Sequence, residues 1–137
     1  MNRSDFQKLS QIRLREAKIL LDNESYEGAY YIADYAVECA LKACITKQIR
    51  RYDFPDRKFV SSIYTHNLVE LMKLAGLEPD FQQRKMDQVF NSNWTTVKDW
   101  SEESRYKHGV TAATAKDFYK AVVNQRNGVM PWIRKWW

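Results

Sequence analysis

The segment YEGAYYIADYAVECALKACITKQI, from Tyr26 to Ile49, constrains the fold of this chain more than any other stretch. Wound as a helix, it lines one face with Ala29, Ile32, Ala33, Ala36, Ala40, Ala43 and Cys44, and most of these are small. Small side chains let neighbouring helix axes approach closely, so the segment predicts the central helix of a bundle. Tyr26, Tyr30, Tyr31 and Tyr35 flank that face, where their hydroxyls reach the edge of a core. Four glycines and three prolines in 137 residues leave little punctuation, which favours long helices. The expected fold is an all-α, antiparallel up-and-down bundle of about five helices, in a single domain spanning residues 1–137.

The other helices are read from periodicity and caps. Ser4-Asp5-Phe6-Gln7 has the form of a capping box. Phe6, Leu9, Ile12, Ala17, Leu20 and Leu21 then repeat at helical spacing, which predicts a helix over 4–22. The run from Arg50 to Tyr64 loses the period and holds Pro55, and is expected to be a loop. Thr65 is the expected cap of a short helix carrying Leu68, Leu71, Met72 and Ala75, closed by Gly76. Asp80 to Gln83 repeats the capping-box pattern ahead of Phe81, Met86, Val89 and Phe90. That helix is expected to break near Ser92 and run on through Trp94, Val97 and Trp100, the two tryptophans serving as core. Thr111 or Thr114 is expected to cap the last helix, with a kink or fresh start at Pro131. The tail GVMPWIRKWW is expected to pack against the first helix or a second subunit.

Several function classes fall away on composition. Cys39 and Cys44 lie roughly 140° apart around one helix, so they do not pair. With no further cysteine there is neither a disulfide framework nor a thiolate metal cluster, which a reducing cytosol would accept. The N-terminal MNRSDFQKLS lacks the apolar core of a signal peptide, and no apolar run nears the ~18 residues of a membrane span. The expectation is a cytoplasmic protein with no membrane partner. No GxxxxGK[ST], GxGxxG or HExxH pattern occurs, and no acidic cluster for magnesium, so neither metal nor cofactor is expected. A formal net charge of +5 admits RNA, a nucleotide phosphate or an acidic protein as partner.

A set of ordered motifs gives the chain a family likeness. Glu38, Leu41, Lys42 and Ala43 form an E-x-x-L-K-A pattern, and Thr65-His66-Asn67-Leu68 matches T-H-[DN]-L. Arg105-Tyr106 precedes the final helix, which ends in Trp132-Ile133. In this order the residues resemble the HEPN domain (higher eukaryotes and prokaryotes nucleotide-binding) over about residues 10–135. The resemblance implies an all-α bundle, commonly a homodimer, and often a toxin-like member of a two-gene system paired with a nucleotidyltransferase. Catalytic members of the family are metal-independent ribonucleases with an Arg-x4–6-His motif. Here Arg105 and His108 have two residues between them, and Arg57 and His66 have eight. The chain is therefore expected to bind a nucleotide, RNA or a nucleotidyltransferase partner without cleaving, because the Arg-x4–6-His motif is unmatched.

Two groups of residues are candidates for that role. Glu38, Lys42, His66, Arg105 and Tyr106 are expected to form a polar cleft between helices, with Glu38, His66 and Arg105 as one cluster. The competing reading of the cluster is a network that only locks the bundle. Arg50, Arg51, Arg57 and Lys58, interleaved with Tyr52, Phe54 and Phe59, are candidates for phosphate contact and base stacking; such runs are also commonly solvated loops. As an alternative, Arg105 and His108 would cleave RNA, the histidine moving the proton and the arginine steadying the phosphate charge. A further alternative is a purely structural interaction protein. Copies of the chain are expected to pair through their long-helix faces.

Overall fold

Asn2, rather than Ser4, opens the first helix of the computed structural model, which describes residues 1–49, 54–99 and 109–137. Its side chain accepts from the Asp5 N–H at 2.9 Å while the Asp5 carboxylate accepts from the Asn2 N–H at 3.0 Å. This reciprocal box leaves Ser4 inside the first turn of α1 (Arg3–Asp22). At the other end Glu24 takes a left-handed φ of 62°, with Ser25 N–H on the Leu20 carbonyl at 2.8 Å and Glu24 N–H on that of Leu21 at 3.1 Å. That double return satisfies the last carbonyls and turns the chain straight into α2 (Tyr26–Gln48).

α2 is the centre of the bundle. It packs against α1 along its length, and buried residues run without a break from Ala36 to Leu41, so every side of its middle is covered. Ala29, Ala33, Ala36, Ala40, Ala43 and Cys44 are all buried, and Ile32 is half-buried against them. The Ser10 hydroxyl donates to the Ala36 carbonyl at 2.8 Å in this buried seam. Cys39 and Cys44 are buried free thiols.

The region expected to be a loop before Tyr64 contains a helix, α3 (Arg57–Ser62). The Asp56 carboxylate caps it by accepting from the Lys58 N–H at 3.2 Å, and Phe59 and Ile63 turn against the core. A helix of this length is too short for its period to register in the sequence. In α4 (Leu68–Leu74) the cap is Asn67, which accepts from Glu70 N–H at 3.1 Å. Thr65 sits two residues outside and its hydroxyl accepts from the Asn67 N–H at 3.1 Å. Gly76 closes α4 as expected, with φ of 74° and Leu77 N–H returning to the Met72 carbonyl at 3.2 Å. A Cβ there would meet Gln48 Nε2 at 2.6 Å, so both angle and space call for glycine.

The Asp80 capping box does not form. α5 (Glu78–Arg84) begins earlier, with Pro79 in its first turn, and Asp80 instead accepts the Trp132 indole N–H at 2.6 Å. The break before α6 (Gln88–Lys98) falls at Lys85 to Asp87 rather than near Ser92. Asp87 makes it, accepting from Val89 and Phe90 N–H at 3.0 and 3.2 Å. These amides, Phe90's foremost, hold its carboxyl below the usual carboxylate range, with Arg84 beside it adding to the effect. Thr111 caps α7 (Ala112–Val123) by accepting from Thr114 N–H at 3.1 Å. The expected interruption near Pro131 is a fresh start at Gly128, after which α8 (Val129–Arg134) carries Pro131 in its first turn, where a missing N–H costs nothing.

The described residues thus hold eight helices and no strand, against about five expected, because α3, α5 and α8 are separate short pieces. Trp132 on α8 lies edge-on to Phe90 and Trp94, with centroids at 5.2 and 6.0 Å, and tilted to Phe81 at 6.1 Å. The chain ends meet where Arg3 Nη2 donates to the Trp137 carbonyl at 2.7 Å, so the tail lies beside the start of α1. No helix among the described residues is long and apolar enough to cross a membrane.

Candidate functional site

Glu38 is the unusual residue of α2. Its carboxylate is only 1% exposed, and a buried charge is tolerated only where partners compensate it. Lys42, one turn on, donates to Glu38 Oε1 at 2.9 Å, and His66 Nδ1 lies 2.9 Å from the same oxygen. Since a carboxylate only accepts, His66 Nδ1 is the donor in this bond. The Lys42 side chain is 13% exposed and that of His66 50%, so a wholly buried acid orients two nitrogen groups towards solvent. His66 is brought there by the Thr65 to Asn67 turn that starts α4. Glu38 Oε2 has no hydrogen-bond partner among the described residues.

The sequence motifs point to Glu38 and Lys42 and place Tyr30 only at the core edge, but they leave out Asp34 on the same ridge. Asp34 is fully buried one turn before Glu38, and Tyr30 lies one turn before Asp34. Burial first, then the charges of Asp34 and Asp99, push the Tyr30 hydroxyl up to about 12. Its ring sits 4.3 Å from that of Phe118 on α7. The signal was present in the sequence: Tyr30, Asp34, Glu38 and Lys42 repeat every fourth position, and no other residue from 30 to 42 is charged.

Lys42 also borders a cavity of about 300 Å³ between α1, α2 and α3, walled mainly by Phe6, Ile49, Val60, Ile63 and Tyr64. Arg57 and Lys58 are exposed in the first turn of α3, while Phe59 is turned inward against the core and is not free to stack a base. Phe54 is 99% exposed. Arg50, Arg51 and Tyr52, and likewise Trp100, Arg105, Tyr106 and His108, lie outside the described residues. The cysteines are poor nucleophiles, because burial pushes both thiols up to about 11. Among the described residues no group of three or more His, Cys, Asp or Glu side chains could hold a metal ion.

The motifs on which the family likeness rests now have places in the fold. The E-x-x-L-K-A residues lie on the central helix, His66 of T-H-[DN]-L is bonded to Glu38, and Trp132-Ile133 is buried on the last helix. No curated protein and no solved structure matches the chain. The family model described as HEPN domain matches residues 8–136, nearly the whole length, and the chain belongs to the HEPN domain family.

Proposed function

We propose that this HEPN domain is a non-catalytic module that binds a nucleotide or RNA at the cleft formed by Glu38, Lys42 and His66. The observation that carries the reading is the single buried oxygen, Glu38 Oε1, gathering Lys42 and His66 at 2.9 Å each. Held this way, the remaining Lys42 N–H groups and the His66 edge are oriented before any ligand arrives, which spares the ordering cost of binding. The adjoining apolar cavity, with Phe6 and Tyr64 in its wall, suits a base whose phosphate lies on Lys42. Arg105 and Tyr106 are proposed as further members of the cleft. Arg57 and Lys58 are proposed to follow a longer RNA backbone. In the two-gene setting that the family suggests, a nucleotidyltransferase partner would meet the same face. Ile12 and Ile19, exposed along one side of α1, are the proposed contact between two copies.

The test is fluorescence anisotropy with a short single-stranded RNA and a competing mononucleotide at low salt. Lys42→Ala should weaken binding by about tenfold, and added salt should weaken it steeply. Arg57→Gln with Lys58→Gln should lower the salt slope for RNA alone. If neither RNA nor nucleotide binds, or Lys42→Ala binds as the parent does, the cleft reading fails. RNA cleavage by the purified protein that is lost in His108→Ala would overturn its non-catalytic part.

A further inference from the structure

On another part of the surface, residues of α4, α5 and α6 border an open cleft of about 560 Å³, in the size range of small-molecule sites. It shares no lining residue with the Glu38 cleft. Its floor is apolar and aromatic: Met72 and Trp94 are 2% exposed, and Phe81 packs on Trp94 with centroids 5.6 Å apart. Trp132 braces both rings from behind, and its indole is fixed in turn by Asp80. The floor is therefore rigid.

The rim has the opposite chemistry. Lys73, Lys85 and Lys98 line the opening, against Glu78 as the one acidic lining residue. Lys98 is tied to Asp99 at 2.9 Å, while Lys73 and Lys85 have no ion-pair partner among the described residues. Their ammonium groups are thus available to an incoming anion. Met86, also in the lining, is 79% exposed, an unusual place for a large apolar side chain. A thioether chain of three rotatable bonds can fold over a bound apolar group and recover that exposed area.

We propose that this open cleft is a second binding site, independent of the Glu38 cleft, for a small aromatic anion. The flat apolar body rests on the Met72–Phe81–Trp94 floor under Met86, and its phosphate or carboxylate lies between Lys73 and Lys85. Each half of the ligand answers a different half of the wall. An uncharged ring lacks the lysine contacts, and a bare phosphate lacks the floor.

Isothermal titration with 1-naphthyl phosphate, 1-naphthol and inorganic phosphate tests this directly. Naphthyl phosphate should bind with Kd below about 1 mM at low salt and at least about tenfold more tightly than either fragment. Lys73→Gln with Lys85→Gln, both exposed and remote from the core, should weaken it by about tenfold. Lys8→Gln, which removes an exposed charge from α1, should leave the affinity unchanged. Absence of binding up to about 5 mM, where a weak site would still register, overturns the proposal. So does equal affinity for either fragment, or a double variant that binds like the parent.

Discussion

Replacing Glu38 should reveal how much of this bundle depends on one buried charge. In Glu38→Ala the Lys42 ammonium, whose side chain is only 13% exposed, loses its counter-charge, and His66 loses its acceptor. Breaking a buried pair costs about 3–5 kcal/mol. Because Lys42 keeps some access to water and His66 is half-exposed, the low end applies, about 3 kcal/mol. Glu38→Gln keeps an oxygen acceptor in place and loses only the charge, so about 1–2 kcal/mol is expected. Glu38→Met combined with Lys42→Met removes both charges at similar volume and should recover most of the loss, since apolar replacements of buried pairs are often neutral. Urea unfolding at pH 7, followed by tryptophan fluorescence and far-UV circular dichroism, measures all three on one scale. A cost below about 1 kcal/mol for Glu38→Ala, or a double variant as unstable as that single one, would refute the reasoning.

Further outcomes follow from individual contacts. Glu24→Gly should raise stability by about 0.5–1 kcal/mol in the same assay, because a glutamate there holds a left-handed φ that glycine adopts freely. Gly76→Ala should lower it by about 1–2 kcal/mol through strain at φ of 74° and the approach to Gln48. Asp87, whose carboxyl is lowered by the α6 amides, stabilises the fold above the ordinary carboxylate value and loses that contribution as pH falls through the lowered one. Asp87→Asn should therefore flatten the acid limb of a Tm-versus-pH profile, measured by calorimetry. Cys39 and Cys44 should resist a thiol reagent at pH 8 in the native protein and react at the rate of unfolding, a difference read from absorbance in native and denaturing buffer.

The parts of the fold legible in sequence were those governed by local periodicity and by residue size. The small face of α2 says which side packs, and Gly76 says where α4 ends, whereas the α1 stripe includes Ile12, which is exposed, and omits Leu14, which packs on the core. Caps shifted by two residues at Asn2 and Asn67, because several side chains in each turn could accept and only geometry chooses among them. Asp80 was misread for a different reason. Its oxygen goes to Trp132, a partner 52 positions away that no local pattern indicates. The pairing of Glu38 with His66 was foreseeable because a carboxylate among alanines needs a donor. Asp34 is less legible, because it lies within the small face of α2, whose alanines dominate the pattern there.

The bond from Arg3 to the Trp137 carbonyl has a consequence for engineering. Because residues near both ends are held together at one pole of the bundle, a short glycine-serine bridge would span them without disturbing α1 or α8. A ring closed between these two residues should then gain thermal resistance, since the closure limits the unfolded chain more than the folded one.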